Sequence, residues 1–346
     1  MSQKSMSMTK VDAKINISKE QQRERQKPLL QLLFGIFTVT LILFTGCSPK
    51  RRLKIKTPLG QGIYQANLLY QQANYEECRK VLENLLSIDP QDPYIHYNLG
   101  LTYARLNRYS QARDEYLKAL RHKGGNIPQI HQGLADLYLQ QRLYSKAAVE
   151  YQRALALQPD SVEIIIRLAS TYEKMDKMEL AVKQYKSAIR VKASPNVYLR
   201  LGNIYYKLGQ YEEATATYQK ALRLDPNLPQ VYNNLGLAFE KGKKPQEARA
   251  CYQKAIQKDG RYLPAYINLG AFYQAAGEYE LAKEQYLHAL KINPNYLEAL
   301  LNLGILYDLY LTDPKEALRN YQQYCQAGGP RSSEVKRWIE TLQSKK

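Results

Sequence analysis

Between residues 263 and 296 the chain reads LPAYINLGAFYQAAGEYELAKEQYLHALKINPNY, and its apolar and small positions recur three or four residues apart in two blocks. With Leu263 as position 1, Leu269, Gly270 and Tyr273 fall at positions 7, 8 and 11, and Ala282, Tyr286 and Ala289 at 20, 24 and 27. Spacing of this kind puts each block on one face of a helix, so the segment predicts two amphipathic helices. Gly277 stands between them where a left-handed residue closes the first helix, and Asn293-Pro294 biases the chain out of the second. Gly270 and Ala282 are small where the two helices cross, which leaves Tyr273 and Tyr286 to fill the groove beside them.

The same ruler fits eight units, starting near Leu59, Pro93, Pro128, Val162, Pro195, Pro229, Leu263 and Leu297. Position 8 then holds Ala66, Gly100, Ala135, Ala169, Gly202, Gly236, Gly270 and Gly304. One hairpin cannot bury its own apolar face, whereas stacked hairpins can, so a regular period replaces the two-domain prior that 346 residues would otherwise suggest. The pattern resembles the tetratricopeptide repeat, two antiparallel helices in a 34-residue unit. The resemblance implies an all-α fold: an α-solenoid of about eight tetratricopeptide-like helix-turn-helix repeats over residues 59–331, closed by a capping helix and tail at 332–346.

The departures from the period are local. The first unit has Cys78 at position 20 and Leu69 at 11, as a terminal, capping unit would. Gly124-Gly125 adds a residue before the third unit, the stretch around Ser194-Pro195 shortens the fourth, and the eighth carries one extra residue before Ala317. After Gly328-Gly329-Pro330, Ser332 or Ser333 is placed to cap a last amphipathic helix with Val335, Trp338, Ile339 and Leu342 on one stripe.

Ahead of the repeats, residues 1–28 form a polar leader with little to bury, expected to be disordered. Arg23, Arg25 and Lys27 then precede an apolar run over residues 29–47 that reads as a targeting or anchoring segment. Its end, Leu43-Phe44-Thr45-Gly46-Cys47, resembles the bacterial lipoprotein signal, which implies lipidation of Cys47 and an outer-membrane protein facing the periplasm. An uncleaved membrane helix stands as the alternative, since 18 residues at ~1.5 Å each nearly cross a ~30 Å hydrocarbon core, and would place the protein in the inner membrane. Residues 48–58 are a basic connector, so either reading attaches the repeats to a membrane.

The net charge of +18 changes the picture less than it suggests, because residues 1–58 carry half of it, 12 Lys and Arg against 3 Asp and Glu. The remainder is spread over the repeats with no nucleic-acid motif, so no nucleic-acid partner is expected. The 4 histidines form no constellation, and His96 and His131, both at position 4, read as packing residues. No metalloprotease, P-loop or nucleophile-elbow pattern occurs and the cysteines lack CxxC spacing, so neither enzyme activity, metal, cofactor nor small-molecule substrate is expected. Cys78, Cys251 and Cys325 fall in different units, too far apart for a disulfide, and are expected as free thiols.

In the tetratricopeptide family the first helices of successive units line a concave groove that binds peptides or partner proteins. By that resemblance the position-6 residues Asn98, Arg167, Arg200, Asn234, Asn268 and Asn302, the position-13 residues Arg105, Lys174, Lys207 and Lys241, and Asn203 at position 9 are the candidate binding residues. The asparagines can both donate and accept toward an extended backbone, and the cations, offset by Glu173 and Glu240, suit an acidic or C-terminal segment. The resemblance therefore implies a membrane-anchored scaffold for a protein or peptide partner. Its architecture looks like that of the repeat lipoproteins of pilus biogenesis; a cytoplasm-facing adaptor, or the non-catalytic arm of an enzyme complex, are the other readings.

Overall fold

In the computed structural model, residues 58–122 and 124–344 are described. The leader, the apolar run, Cys47 and the connector up to residue 57 lie outside the described residues, so the anchoring expectation is not addressed by the fold. The described residues are all-α and fall into two compact units that divide at Pro159 and Asp160. The first unit holds α1 (Pro58–Gln71), α2 (Tyr75–Leu86), α3 (Pro93–Arg105), α4 (Tyr109–Arg121), α5 (Pro128–Gln140) and α6 (Tyr144–Leu157). The second holds α7 (Val162–Lys174), α8 (Met178–Val191), α9 (Pro195–Lys207), α10 (Tyr211–Leu224), α11 (Pro229–Lys241), α12 (Pro245–Lys258), α13 (Leu263–Ala275), α14 (Tyr279–Ile292), α15 (Leu297–Leu309), α16 (Pro314–Gln326) and α17 (Ser332–Ser344). Among the described residues no helix is long and apolar enough to cross a membrane.

Within each unit the helices pair as hairpins, and each hairpin packs on the next. The small residues do what their spacing predicts. A Cβ placed on Gly202, Gly236 or Gly270 would lie 2.5 Å from the ring of Tyr218, Tyr252 or Tyr286, so only glycine fits these crossings as built. Ala112, Ala147, Ala181, Ala214, Ala248, Ala282 and Ala317, at position 20 of successive repeats, are fully buried. The position-24 rings form the bulk of the core, each at most 1 % exposed from Tyr116 to Tyr321.

The turns inside the hairpins hold a left-handed residue at position 15 in seven repeats, but only Gly209 and Gly277 are glycines there. Ala73, Asn107, Arg142, Asp176 and Lys243 take the same conformation, with φ between 57° and 59°. The reason is hydrogen bonding: in the last full repeat Gly277 N–H reaches the Gln274 carbonyl and Glu278 N–H the Tyr273 carbonyl, satisfying the end of α13. The same bonds recur at Arg142 and Leu143, where the helix end imposes the conformation on a residue ill suited to it. In the eighth repeat the extra residue moves the left-handed position to Thr312, and the added glycine after α4 is taken up in a short 3₁₀ turn, Gly124–Asn126.

The C-terminal stripe packs as expected, with Val335 buried against Leu300 and Tyr321 and with Trp338, Ile339 and Leu342 partly buried beside them. The capping serine does not. The Ser332 hydroxyl donates back to the Gly329 carbonyl instead of accepting from the first turn of α17. Cys78 and Cys251 are buried free thiols, and Cys325 is a half-buried one.

Candidate functional site

The first helices of neighbouring repeats touch one another directly, α3 with α5 in the first unit and α9, α11, α13 and α15 in succession in the second. Within each unit positions 6, 9, 12 and 13 of these helices therefore share a face, which α7 joins in the second unit through the bond from Arg200 to Ser170. The cations on it differ in how they are held. Lys174, Lys207 and Lys241 are exposed and make no ion pair among the described residues. Arg167 is tied along its own helix to Glu163 at 3.0 Å, and Arg200 reaches the Ser170 hydroxyl at 3.4 Å. In the first unit Arg105 donates to the Tyr70 hydroxyl at 3.0 Å and lies over that ring at 6.0 Å. Asn98 does not present itself to solvent at all: it is 2 % exposed, and its side-chain oxygen has no hydrogen-bond partner.

The asparagines of the second unit are joined to each other. Asn268 donates to Asn233 at 2.8 Å, Asn233 to Asn234 at 3.3 Å, and Asn234 to Asn203 at 2.9 Å, while the Tyr218 hydroxyl also donates to Asn203 at 2.7 Å. Four amides from three successive first helices form one chain of bonds. Asn233, at position 5, is its middle member and was not among the sequence-predicted residues; the signal available was Asn-Asn in that one repeat, which alone carries no geometry. Asn302 is half-buried and outside the chain of bonds.

The buried tyrosines reach this face too. Tyr185 donates to Glu173 at 2.5 Å, Tyr252 to Glu240 at 2.8 Å, Tyr286 to Gln274 at 3.1 Å and Tyr321 to Asp308 at 3.2 Å. Burial, aided by Glu173, pushes the Tyr185 hydroxyl up to about 12, and burial together with Glu240 pushes Tyr252 up further, so both stay protonated donors. Glu173 and Glu240 are thus held by the core beneath them. They stand next to Lys174 and Lys241 in the chain without being tied to them.

His96 and His131 are buried, but they do more than pack. His96 Nδ1 lies 2.6 Å from Glu115 and its Nε2 3.0 Å from the Pro90 carbonyl; His131 repeats this with Glu150 at 2.7 Å and the Gly125 carbonyl at 3.4 Å. The His96 ring, facing two acceptors, is best satisfied as an imidazolium. The Glu115 bond raises the His96 pKa against the opposing pull of burial, while on Glu115 itself burial, which raises, is outweighed by the bonds from His96 and Lys118, leaving it lowered. Position 4 and position 23 are thus joined by a buried hydrogen bond in the second and third repeats, both in the first unit.

Among the described residues no group of His, Cys, Asp and Glu could hold a metal ion. The face offers exposed ammonium groups, oriented amides and hydroxyls, all suited to binding a polar chain.

Family profiles described as TPR repeat match residues 66–107 and 202–242, and profiles described as tetratricopeptide repeat match 93–126, 128–171, 162–195, 229–262 and 262–327. No curated protein matches the sequence. Among solved structures, the C-terminal part of a TPR repeat-containing protein from Cytophaga hutchinsonii is similar at 20% identity and a TM-score of 0.60, over 68% of this chain and 97% of that one. PilF of Pseudomonas aeruginosa is 22% identical with a TM-score of 0.49, over 68% of this chain and 99% of its own. YrrB, described as a TPR protein with an unusual peptide-binding site, is 20% identical with a TM-score of 0.41, over 55% and 97%. Identities this low speak to the fold alone. With family profiles covering most of residues 66–327, and hairpins stacked in the same register, this chain belongs to the tetratricopeptide repeat family, whose members are in general non-catalytic scaffolds for protein or peptide partners.

Proposed function

We propose that this protein is a membrane-anchored interaction scaffold that holds an extended, acidic segment of a partner protein across the first-helix face of its second unit. The observation that carries the reading is the column of exposed, unpaired Lys174, Lys207 and Lys241 beside the amide chain of Asn203, Asn234, Asn233 and Asn268. Ammonium groups that keep their hydration can steer and hold carboxylates, and amides spaced along the face match the alternating donors and acceptors of a peptide backbone. The anchor is residues 29–47, and the basic flank after Cys47 keeps the repeats near a lipid surface. Assembly or localisation of a bacterial envelope complex, as in pilus biogenesis, is the setting that a lipidated Cys47 supports.

The binding test uses the full chain and a labelled Glu-rich peptide at low salt. Exchange of Lys174, Lys207 and Lys241 to Glu is expected to abolish binding, and an unchanged affinity would sink the acidic-segment reading. Intact mass of the membrane-extracted protein, beside Cys47→Ala, decides the anchor. A mature chain starting at lipid-modified Cys47 puts the repeats outside the cytoplasm; a chain retaining residues 1–46 makes it an inner-membrane adaptor.

A further inference from the structure

Along the face that carries the lysines, the chemistry changes in a fixed direction. At position 13 the residues run Lys207, Lys241, Ala275, Leu309, and at position 9 Asn203, Leu237, Ala271, Ile305, from α9 to α15. The cationic, amide-bearing end thus gives way to two exposed alanines and then to an apolar end. Leu309 is 64 % exposed where two earlier repeats of this run carry an exposed lysine, and Tyr310 beside it is 42 % exposed. An apolar side chain as open as Leu309 has most of its surface unpartnered among the described residues.

At that end the face deepens into a cavity of about 350 Å³, lined by Ile305, Asp308, Leu309, Tyr321, Trp338 and Leu342, together with Thr341. The capping helix builds its far wall. Trp338 is fixed there by the Tyr321 ring, 5.5 Å between centroids, and by the Arg331 guanidinium 5.3 Å over its own ring. Asp308 accepts from Tyr321 at 3.2 Å and places a carboxylate at the wall, which would repel an acidic residue. The space therefore rejects the acidic part of a ligand and admits an uncharged apolar side chain.

We propose that this cavity seats one large apolar side chain, Phe or Leu, of the same partner segment whose acidic part lies on Lys207 and Lys241. Two steps between touching first helices separate Lys241 from Leu309, roughly 16–20 Å at 8–10 Å per helix, or about five or six residues of extended chain. The ligand is thus an acidic run and an apolar residue about that far apart. The inference rests on the acidic-segment reading for its register, but not for the cavity itself.

Trp338 is the only tryptophan in the chain, so its emission reports on the cavity directly. Two peptides free of Trp and Tyr are compared on the full chain: a Glu run followed or preceded, five residues away, by Phe, and the same peptide with Ser in place of Phe. The Phe peptide in one of its two orientations is expected to bind about tenfold more tightly, from burial of the ring, and to shift Trp338 emission. Leu309→Lys is expected to remove the difference between the two peptides and the shift, with the Ser peptide bound at least as tightly because position 13 gains a cation. Equal affinities for the Phe and Ser peptides, or a gain that survives Leu309→Lys, would overturn the proposal. A short neutral Phe peptide at millimolar concentration separates the two ideas. If the Glu peptides fail to bind but this one still shifts Trp338, and Leu309→Lys abolishes the shift, the cavity stands and the acidic-segment reading falls. If it leaves Trp338 unmoved, the cavity proposal falls. Sedimentation showing a dimer that Leu309→Lys dissolves would assign the cavity to a second copy of the chain and overturn the proposal as well.

Discussion

Gly270→Ala tests whether the crossing of α13 and α14 is set by the absence of a single methyl group. The new Cβ would stand 2.5 Å from Tyr286 Cε1 and 2.8 Å from Cδ1, almost an ångström inside ordinary contact, against a ring only 1 % exposed. Ala gains ~1 kcal/mol over Gly as a helix former, and overpacking of a tight core costs ~1–3 kcal/mol, so the net expectation is a loss of up to ~2 kcal/mol. Repeats three and four already carry Ala135 and Ala169 opposite Tyr151 and Tyr185, both fully buried, so a crossing can open locally to take a methyl; this argues for the lower part of the range. The decisive measurement is the double-mutant cycle by urea unfolding. In a Tyr286→Leu background the clash is gone and Gly270→Ala should become stabilising by up to ~1 kcal/mol, with the slope of the transition unchanged. If Gly270→Ala has the same sign in both backgrounds, the tyrosine ring does not set the crossing and the reasoning fails.

Arg142→Gly should raise stability by ~1 kcal/mol, because Arg142 sits at φ 58° with no benefit to its side chain from that conformation; a lower thermal midpoint would contradict it. His96, faced by Glu115 and stacked on His122 at 5.4 Å with Lys118 on the same carboxylate, has a raised folded pKa. Its contribution is therefore complete below about pH 6.5 and lost as the pH rises through the raised value, so the protection of α3 and α4 amides, taken against the intrinsic exchange rate at each pH, should fall as the pH rises above about 6.5. Glu115→Gln should flatten that dependence, and an unchanged profile would show that the imidazolium is not what holds these helices. Burial pushes the Cys78 thiol up and the Cys251 thiol to about 11, so neither should alkylate at pH 8 until the chain is unfolded, as site-resolved mass spectrometry would report.

What could be read from the sequence was what helical spacing alone decides. Gly270 against Tyr286 is one such pair, since positions 8 and 24 are brought together by any close hairpin of this length. The turn conformation at Arg142 and Lys243 was not legible, because there the helix end dictates φ and the residue type does not announce it. Nor was the Asn233 link, which depends on how far each first helix is rotated about its axis, a quantity the period leaves free. The His96 and Glu115 pair was read as packing for the same reason: position 4 is apolar or aromatic elsewhere, and only contact with position 23 reveals the charge. The division at Pro159 and Asp160 left no trace in the spacing, which steps evenly from Pro128 to Val162. For the candidate face, the cations were legible as residues, but which were free and which already held by Glu163, Ser170 or Tyr70 was not.

The amide chain through Asn268, Asn233, Asn234 and Asn203 has every bond donated in the same sense. Turning either inner member over would set two amino groups against each other at one joint and two carbonyls at the next, and turning an end member over would spoil its single joint. The chain thus reverses as a whole or stays as it is, like a row of coupled switches with two settings. A ligand that donates to the free oxygen at the Asn268 end holds the setting in which the Asn203 amino group is offered two helices away. Under the proposed peptide binding, such a face would tell one direction of a bound backbone from the other, even where the side chains on it would read the same both ways.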